Sequence, residues 1–212
     1  MKTKDRIAET ARVLFNEQGY GVVSTAALAA ACGIAEGNLW YHYKTRRALL
    51  DAIGERFALV IEARLALRPA TDPVGDYAGM VAAVMAEFRD FRFLYRDQYS
   101  YGEHAEVVRR NARDWLERTF TQLELHLAAL VDAGQLDWPR EQLRDLAVNA
   151  TIVLRYGLEH YREMGEPTGS GTGSVQRTLR RHLTLFEARL APAAARRLHA
   201  AIDRIAATAL AA

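Results

Sequence analysis

Cysteine occurs once in the 212 residues, at Cys32, so no disulfide can form within the chain and no CxxC pair exists to hold zinc. Long apolar runs are missing too, because charged residues interrupt the sequence every few positions. The opening MKTKDRIAETARVLF has no unbroken apolar stretch of the kind a signal peptide carries, so the expected location is cytoplasmic with no membrane partner. Catalytic signatures are likewise lacking: there is no GxSxG, HExxH, P-loop or Rossmann run. The histidines at 42, 104, 126, 160, 182 and 199 are scattered, and Glu124 and His126 do not have metal-ligand spacing. No enzymatic activity, metal or cofactor is expected from this pattern.

Half of the residues are hydrophobic, which excludes overall disorder and allows one large core, or a small module beside a larger one. Apolar residues recur every three or four positions with almost no strand-like alternation, so the expected fold class is all-α. Ile7, Ala8, Ala11, Leu14 and Phe15 form a first stripe, ended by Gly19. Ser24 or Thr25 can cap a short second helix broken at Gly33, and a third short helix is expected from about Glu36 to Tyr43. Thr45 can cap a longer fourth helix that buries Ala48, Leu49, Ala52, Ile53, Phe57, Val60 and Ile61. RPATDPVGD, residues 68–76, is a linker candidate, and five or six further helices follow it. Among these are stripes at 143–161 and 175–190, divided by the Gly/Ser/Thr-rich loop 165–174, and a closing helix started by Pro192.

The formal net charge of +2 lies entirely in residues 1–56, which hold eight basic against six acidic side chains. Lys44, Arg46 and Arg47 lie together, as a phosphate-facing patch requires. Two short helices separated by the turn Ala31, Cys32, Gly33 and Ile34 make a helix-turn-helix, the arrangement that lets a recognition helix enter the major groove. Leu28, Ala29, Ile34 and Leu39 are placed to clamp the two helices, leaving Ala35, Glu36, Asn38, Trp40, Tyr41 and His42 outward. These outward groups supply hydrogen bonds for base edges and, with Lys44 and Arg46, for phosphate oxygens. Cys32 is read as a small buried residue rather than a redox group, and Tyr43 as core.

The ungapped run from Ser24 to Leu50, STAALAAACGIAEGNLWYHYKTRRALL, resembles the signature of the TetR family of one-component transcriptional regulators. The shared pattern is a Thr-led helix, a turn like A-G-V-S, G-x-L-Y-x-H-F, a basic residue and a Leu-rich fourth helix. The resemblance implies a sequence-specific DNA-binding regulator, a repressor released from a palindromic double-stranded operator by a small-molecule effector and acting as a homodimer. It places Thr25 on phosphate, Glu36 and Asn38 before bases, and Trp40, Tyr41, His42, Lys44 and Arg46 on the DNA backbone. Ala35 stands where the family usually has a Ser or Thr cap, and Trp40 where it has Tyr. The domains implied are a three-helix DNA-binding domain at 1–47 and a larger helical effector-binding and dimerisation domain at 48–212, with a connecting helix over about 46–67.

Residues 88–101, FRDFRFLYRDQYSY, concentrate Phe and Tyr and resemble a run found in one subtype of the family's ligand domain. Phe88, Phe91, Tyr95, Tyr99, Trp115, Phe120, Tyr156 and His160 are the candidates for a pocket, since Tyr, Trp and His offer both apolar surface and polar tips. The same side chains equally suit a core between long helices. The dimer seam implied by the resemblance falls on Leu143, Ala147, Ala150, Leu154, Gly157, Leu158, Leu179, Leu183 and Phe186, a pattern that packing within one chain explains as well.

Overall fold

The computed structural model describes residues 3–98, 100, 101, 104–169 and 171–210. In chain order they form α1 (Thr3–Gln18), α2 (Thr25–Ala31), α3 (Glu36–His42), α4 (Arg46–Leu65), α5 (Pro73–Asp90), α6 (Arg92–Arg96), α7 (Glu106–Asp132), α8 (Leu143–Glu163), α9 (Ser174–Leu183) and α10 (Pro192–Leu210). Among the described residues there is no strand, only an isolated antiparallel bridge between Leu136 and Leu190, so the all-α class is the one observed. No helix among them is long and apolar enough to cross a membrane. The chain divides into two compact units: residues up to Glu62 with Asp90–Arg113, and Ala63–Arg89 with Asp114 onward.

In the first unit α1 buries Ile7, Ala8, Ala11 and Phe15, and has no basic residue of its own in its last turn. Helix ends leave carbonyls without partners and favour cations there. Arginines of α6 supply both needs. Arg96 donates to Phe15 O at 2.8 Å and to Asn16 O at 3.1 Å, and Arg92 donates to Asn16 O at 2.9 Å. The Asn16 side chain completes the joint, donating to Asp90 O at 2.7 Å and accepting from Phe93 N at 3.0 Å. Below it Phe15 meets Phe93 with ring centroids 5.3 Å apart.

In the second unit α9 lies between α8 and α10. A Cβ on Gly157 would stand 2.3 Å from Thr178 Cγ2, so glycine is what permits the α8–α9 approach. The residues expected at a dimer seam, Leu143, Ala147, Ala150, Leu154, Gly157, Leu158, Leu179, Leu183 and Phe186, are all buried within the single chain. The expected 175–190 helix is also shorter than its stripe, ending at Leu183. Asp137 N donates to Arg189 O and Ala191 N to Gln135 O, each at 2.9 Å, so 189–191 pairs with a distant segment instead of continuing the helix.

The second unit also buries polar groups. Arg64 pairs with Glu87 at 2.9 Å and donates to Gln122 Oε1 at 2.9 Å and Thr119 Oγ1 at 3.0 Å, with the Arg and Glu side chains 3% and 0% exposed. Such a pair is costly to desolvate and strongly destabilising to break on one side only. Elsewhere the Tyr77 hydroxyl lies 2.5 Å from His182 Nε2, with Phe186 edge-on to both rings. Burial pushes the Tyr77 phenol up and the His182 imidazole down to about 4.

An unfolded His182 takes up a proton near pH 6.5, whereas the folded one resists it until about pH 4. Its stabilising contribution is therefore full above about pH 6.5 and is lost as pH falls toward 4. His126, whose imidazole burial also pushes down, acts in the same direction. Urea unfolding at pH 7 and pH 5 should show a fall on the order of 2 kcal/mol from His182, and His182→Gln should flatten it. An equal fall in the variant would contradict this assignment.

Candidate nucleic-acid interface

The helix-turn-helix is built from short-range rules. Ser24 Oγ accepts from Ala27 N at 3.1 Å and so caps α2. Cys32 N donates to Leu28 O, Gly33 N to Ala30 O and Ile34 N to Ala29 O, each at 3.0 Å. Gly33 has φ of 63°, the left-handed conformation that this sharp exit requires. Leu28, Ala29, Cys32 and Leu39 are buried where the two helices meet. The α3 N-cap is Ala35, which makes no side-chain cap bond, so α3 depends on its neighbours for support. Thr45 Oγ1 accepts from Ala48 N at 3.0 Å and starts α4.

Long-range bonds then fix this module. Arg6 donates to Cys32 O at 2.7 Å, tying α1 to the turn itself. Arg56 of α4 pairs with Asp5 of α1 at 2.5 Å. Tyr43, buried at the end of α3, donates to Lys4 O at 3.1 Å, and burial pushes its phenol up so that it remains a donor. Tyr20 N donates to Asp97 Oδ2 at 2.7 Å, and the Tyr20 hydroxyl lies 3.0 Å from His104 Nδ1.

These bonds leave Ala35, Glu36, Asn38, Tyr41 and Lys44 exposed on and just beyond α3, with Thr25, Trp40 and His42 partly covered. Tyr41 is 76% exposed. Lys44 Nζ hangs 6.0 Å from the Tyr41 ring centre, and the Tyr41 and His42 rings stand 5.3 Å apart. A glutamate, an asparagine, a phenol, an imidazole and an ammonium thus share one surface. Together they carry donors and acceptors for base edges and a cation for phosphate.

Arg46 stands apart from the expected set. Its guanidinium turns inward, donating to Val23 O at 2.5 Å and to Tyr20 O, and lies 4.4 Å from the Tyr20 ring centre. In this position it holds the α1–α2 loop rather than presenting its donors to a phosphate. Arg6 is the converse case, a clamp on the turn that sequence reasoning did not single out. Its spacing of 26 residues from Cys32 carries no local signal.

The pocket candidates are distributed rather than convergent. In the first unit Phe91 and Tyr95 pack on Phe57 at 5.2 and 5.6 Å. In the second, Phe88 and Trp115 are buried and Phe120 lies 5.2 Å under the Arg144 guanidinium. His160 meets the Tyr161 ring at 5.5 Å, while Tyr156 is 51% exposed and donates to Glu163. Tyr99 lies outside the described residues. A groove of about 300 Å³ in the second unit is lined by α5 and α10, with Ala78, Gly79, Ala82, Arg197 and Arg204 among its walls, and includes none of the candidates.

A family model described as bacterial regulatory proteins, tetR family, matches residues 7–53, and one described as bacterial transcriptional repressor matches residues 56–198. The chain is 25% identical over 163 residues to the tetracycline repressor protein class C of Escherichia coli, covering 77% of this chain and 71% of that protein. It is 28% identical over 143 residues to the class A tetracycline repressor from transposon 1721 in the same species, covering 68% of this chain and 57% of that protein. A TetR-family transcriptional regulator from Marinobacter aquaeolei superposes with a TM-score of 0.76 at 23% identity, over 97% of this chain and 99% of that one.

Removing the Arg46 clamp leaves Val23 O and Tyr20 O without their donor. Arg46→Met should lower the unfolding free energy by about 2 kcal/mol, read by urea denaturation, the cost of losing charge-assisted bonds at a half-buried site. Unchanged stability would show that the inward geometry is not what holds the loop.

Proposed function

The chain belongs to the TetR family of bacterial transcriptional regulators, and on that footing we propose that it is a repressor which a small-molecule effector releases from a palindromic operator. The observation that carries this reading is the exposed α3 surface of Glu36, Asn38, Tyr41 and Lys44 on a frame clamped at both ends. Glu36 and Asn38 read base edges, Thr25, Trp40, Tyr41, His42 and Lys44 grip the sugar-phosphate backbone, and Ala35 lets the start of α3 approach it closely. Arg46 supports the interface from behind. Residues 1–47 serve as the reading head, and 48–212 as the effector-binding and dimerisation region. Action is by equilibrium binding in the cytoplasm, without turnover and without a resident cofactor. An effector that prefers one of two states must weaken the operator complex by the factor by which the operator weakens effector binding.

One helix-turn-helix contacts only a few base pairs, so a second copy is needed for specificity. With the inner faces of α8 and α9 buried in the chain, the seam must use residues that remain outside. The outward stripe of α8 offers Ile152 and Tyr156, 58% and 51% exposed, as apolar anchors for the same stripe of a second copy.

Selection from a random duplex pool with the purified protein should enrich an inverted repeat whose half-site centres lie about one helical turn, or a multiple of it, apart. Ile152→Arg should shift the protein toward monomer in sedimentation and weaken operator binding, leaving its helical content unchanged. Failure to enrich any sequence would end the regulator reading. A dimeric Ile152→Arg would move the seam elsewhere.

A further inference from the structure

The groove between α5 and α10 is built by the spacing of small residues. Gly75, Ala78, Gly79 and Ala82 recur at three and four positions, so they share one face of α5, whose other faces bury Tyr77, Met80 and Val84. Ala201 and Ile205, one turn apart on α10, stand across an opening of about 300 Å³. That volume is at the lower end of the range for small-molecule sites, which are mostly apolar with a few placed polar groups. Behind the groove, with Ala78, Ala201 and Ile205 as shared walls, is an enclosed void of about 10 Å³. The apolar floor of the groove is thus incompletely filled.

Two charged side chains line the groove, and both are arginines of α10: Arg197 and Arg204, seven residues apart and so on one face of the helix. Arg197 reaches Asp72 at 2.5 Å, in an ion pair whose members are both about half exposed. A pair of this kind holds its partners weakly. A guanidinium carries five donors and a carboxylate takes at most two of them side by side, so Arg197 can receive a second acid next to Asp72. A hydrocarbon alone leaves these donors unused, and a small polar anion leaves the apolar strip in water. The chemistry that uses both is an apolar chain ending in an acid.

Resting on the effector reading, we propose that the α5–α10 groove binds the effector and that the effector is an amphipathic carboxylate. Its chain lies between Ala78, Gly79 and Ala82 on one wall and Ala201 and Ile205 on the other, and its carboxylate accepts from Arg197 and Arg204. Burial of the chain supplies the larger part of the affinity, and the guanidiniums select an acid over a neutral or cationic head. The aromatic side chains that the sequence offers for a pocket take no part.

The test titrates the full-length protein with decanoate, below its micellar range, in a calorimeter and without DNA. Expected is saturable binding of one decanoate per chain, with decanol and decyltrimethylammonium weaker by about ten-fold or more. A Cβ at Gly79 would meet nothing within 4 Å, so Gly79→Leu should fill the groove, keep its Tm and lose the saturable binding. Arg197→Gln and Arg204→Gln should each weaken decanoate about ten-fold and leave the affinity for decanol unchanged. No saturable binding, equal affinity for decanol, or wild-type affinity in Gly79→Leu overturns the proposal. So does a Gly79→Leu protein that turns monomeric in sedimentation where the wild type is dimeric, because the groove would then be an interface between two copies of the chain. On a duplex that the wild type selects from a random pool, decanoate should release the wild type but not Gly79→Leu. Binding in the groove without release overturns the effector role, and with it the effector reading, while the carboxylate site itself stands.

Discussion

Arginine guanidiniums closing backbone carbonyls hold the first unit together. Arg92 and Arg96 close the end of α1, Arg6 closes the turn before α3, and Arg46 closes the loop before α2. Each bond joins a charged donor to a carbonyl at a helix end, in a turn or in a loop, a stronger and more directional contact than a surface ion pair. A short recognition helix with a poor N-cap cannot hold its own orientation, so its accuracy as a reader derives from these clamps.

This division of labour changes what the charge of the segment means. Of the basic residues in 1–56, Arg6, Arg12, Arg46 and Arg56 make hydrogen bonds inside the first unit, and Arg47 lies 3.6 Å from Asp51. Lys44 is exposed and extends past Tyr41, in position for an outside partner. A fork with five donors suits carbonyl clamping, while a hydrated ammonium on a flexible stem suits a phosphate that approaches from solvent. In the second unit buried polarity has a different form: the Arg64–Glu87 pair and the Tyr77–His182 bond fix how α4, α5, α7 and α9 meet, at a desolvation cost.

Local chemistry was legible in the sequence. Ser24 and Thr45 cap the helices expected of them, Gly33 makes the turn, and Pro192 opens α10. Tyr43 and Cys32 are buried as read. What the sequence could not convey depends on distant parts of the chain. Periodicity marked the apolar faces of α8 and α9 but not that each covers the other, so it left packing within the chain and a dimer seam equally open. The α9 stripe ran on past Leu183, where the helix ends, and 189–191 pair instead with 135–137. The aromatic run 88–101 was read as one cluster, yet Phe88 belongs to the second unit and Phe91, Phe93, Tyr95 and Tyr101 to the first. Arg46 looked like a phosphate ligand because its neighbours in sequence are basic. Its acceptors, Val23 O and Tyr20 O, are invisible without the fold.

The most direct measurement of this account is the salt dependence of duplex binding for wild type, Lys44→Ala and Arg46→Ala. Counterion release makes the slope of log K against log salt a count of phosphate contacts, with each lost contact worth about 0.9. The account predicts a shallower slope for Lys44→Ala, by about one unit for each half-site, and a wild-type slope for Arg46→Ala despite its weaker fold. A shallower slope for Arg46→Ala with an unchanged one for Lys44→Ala would contradict it, placing the guanidinium on DNA and the lysine outside the interface.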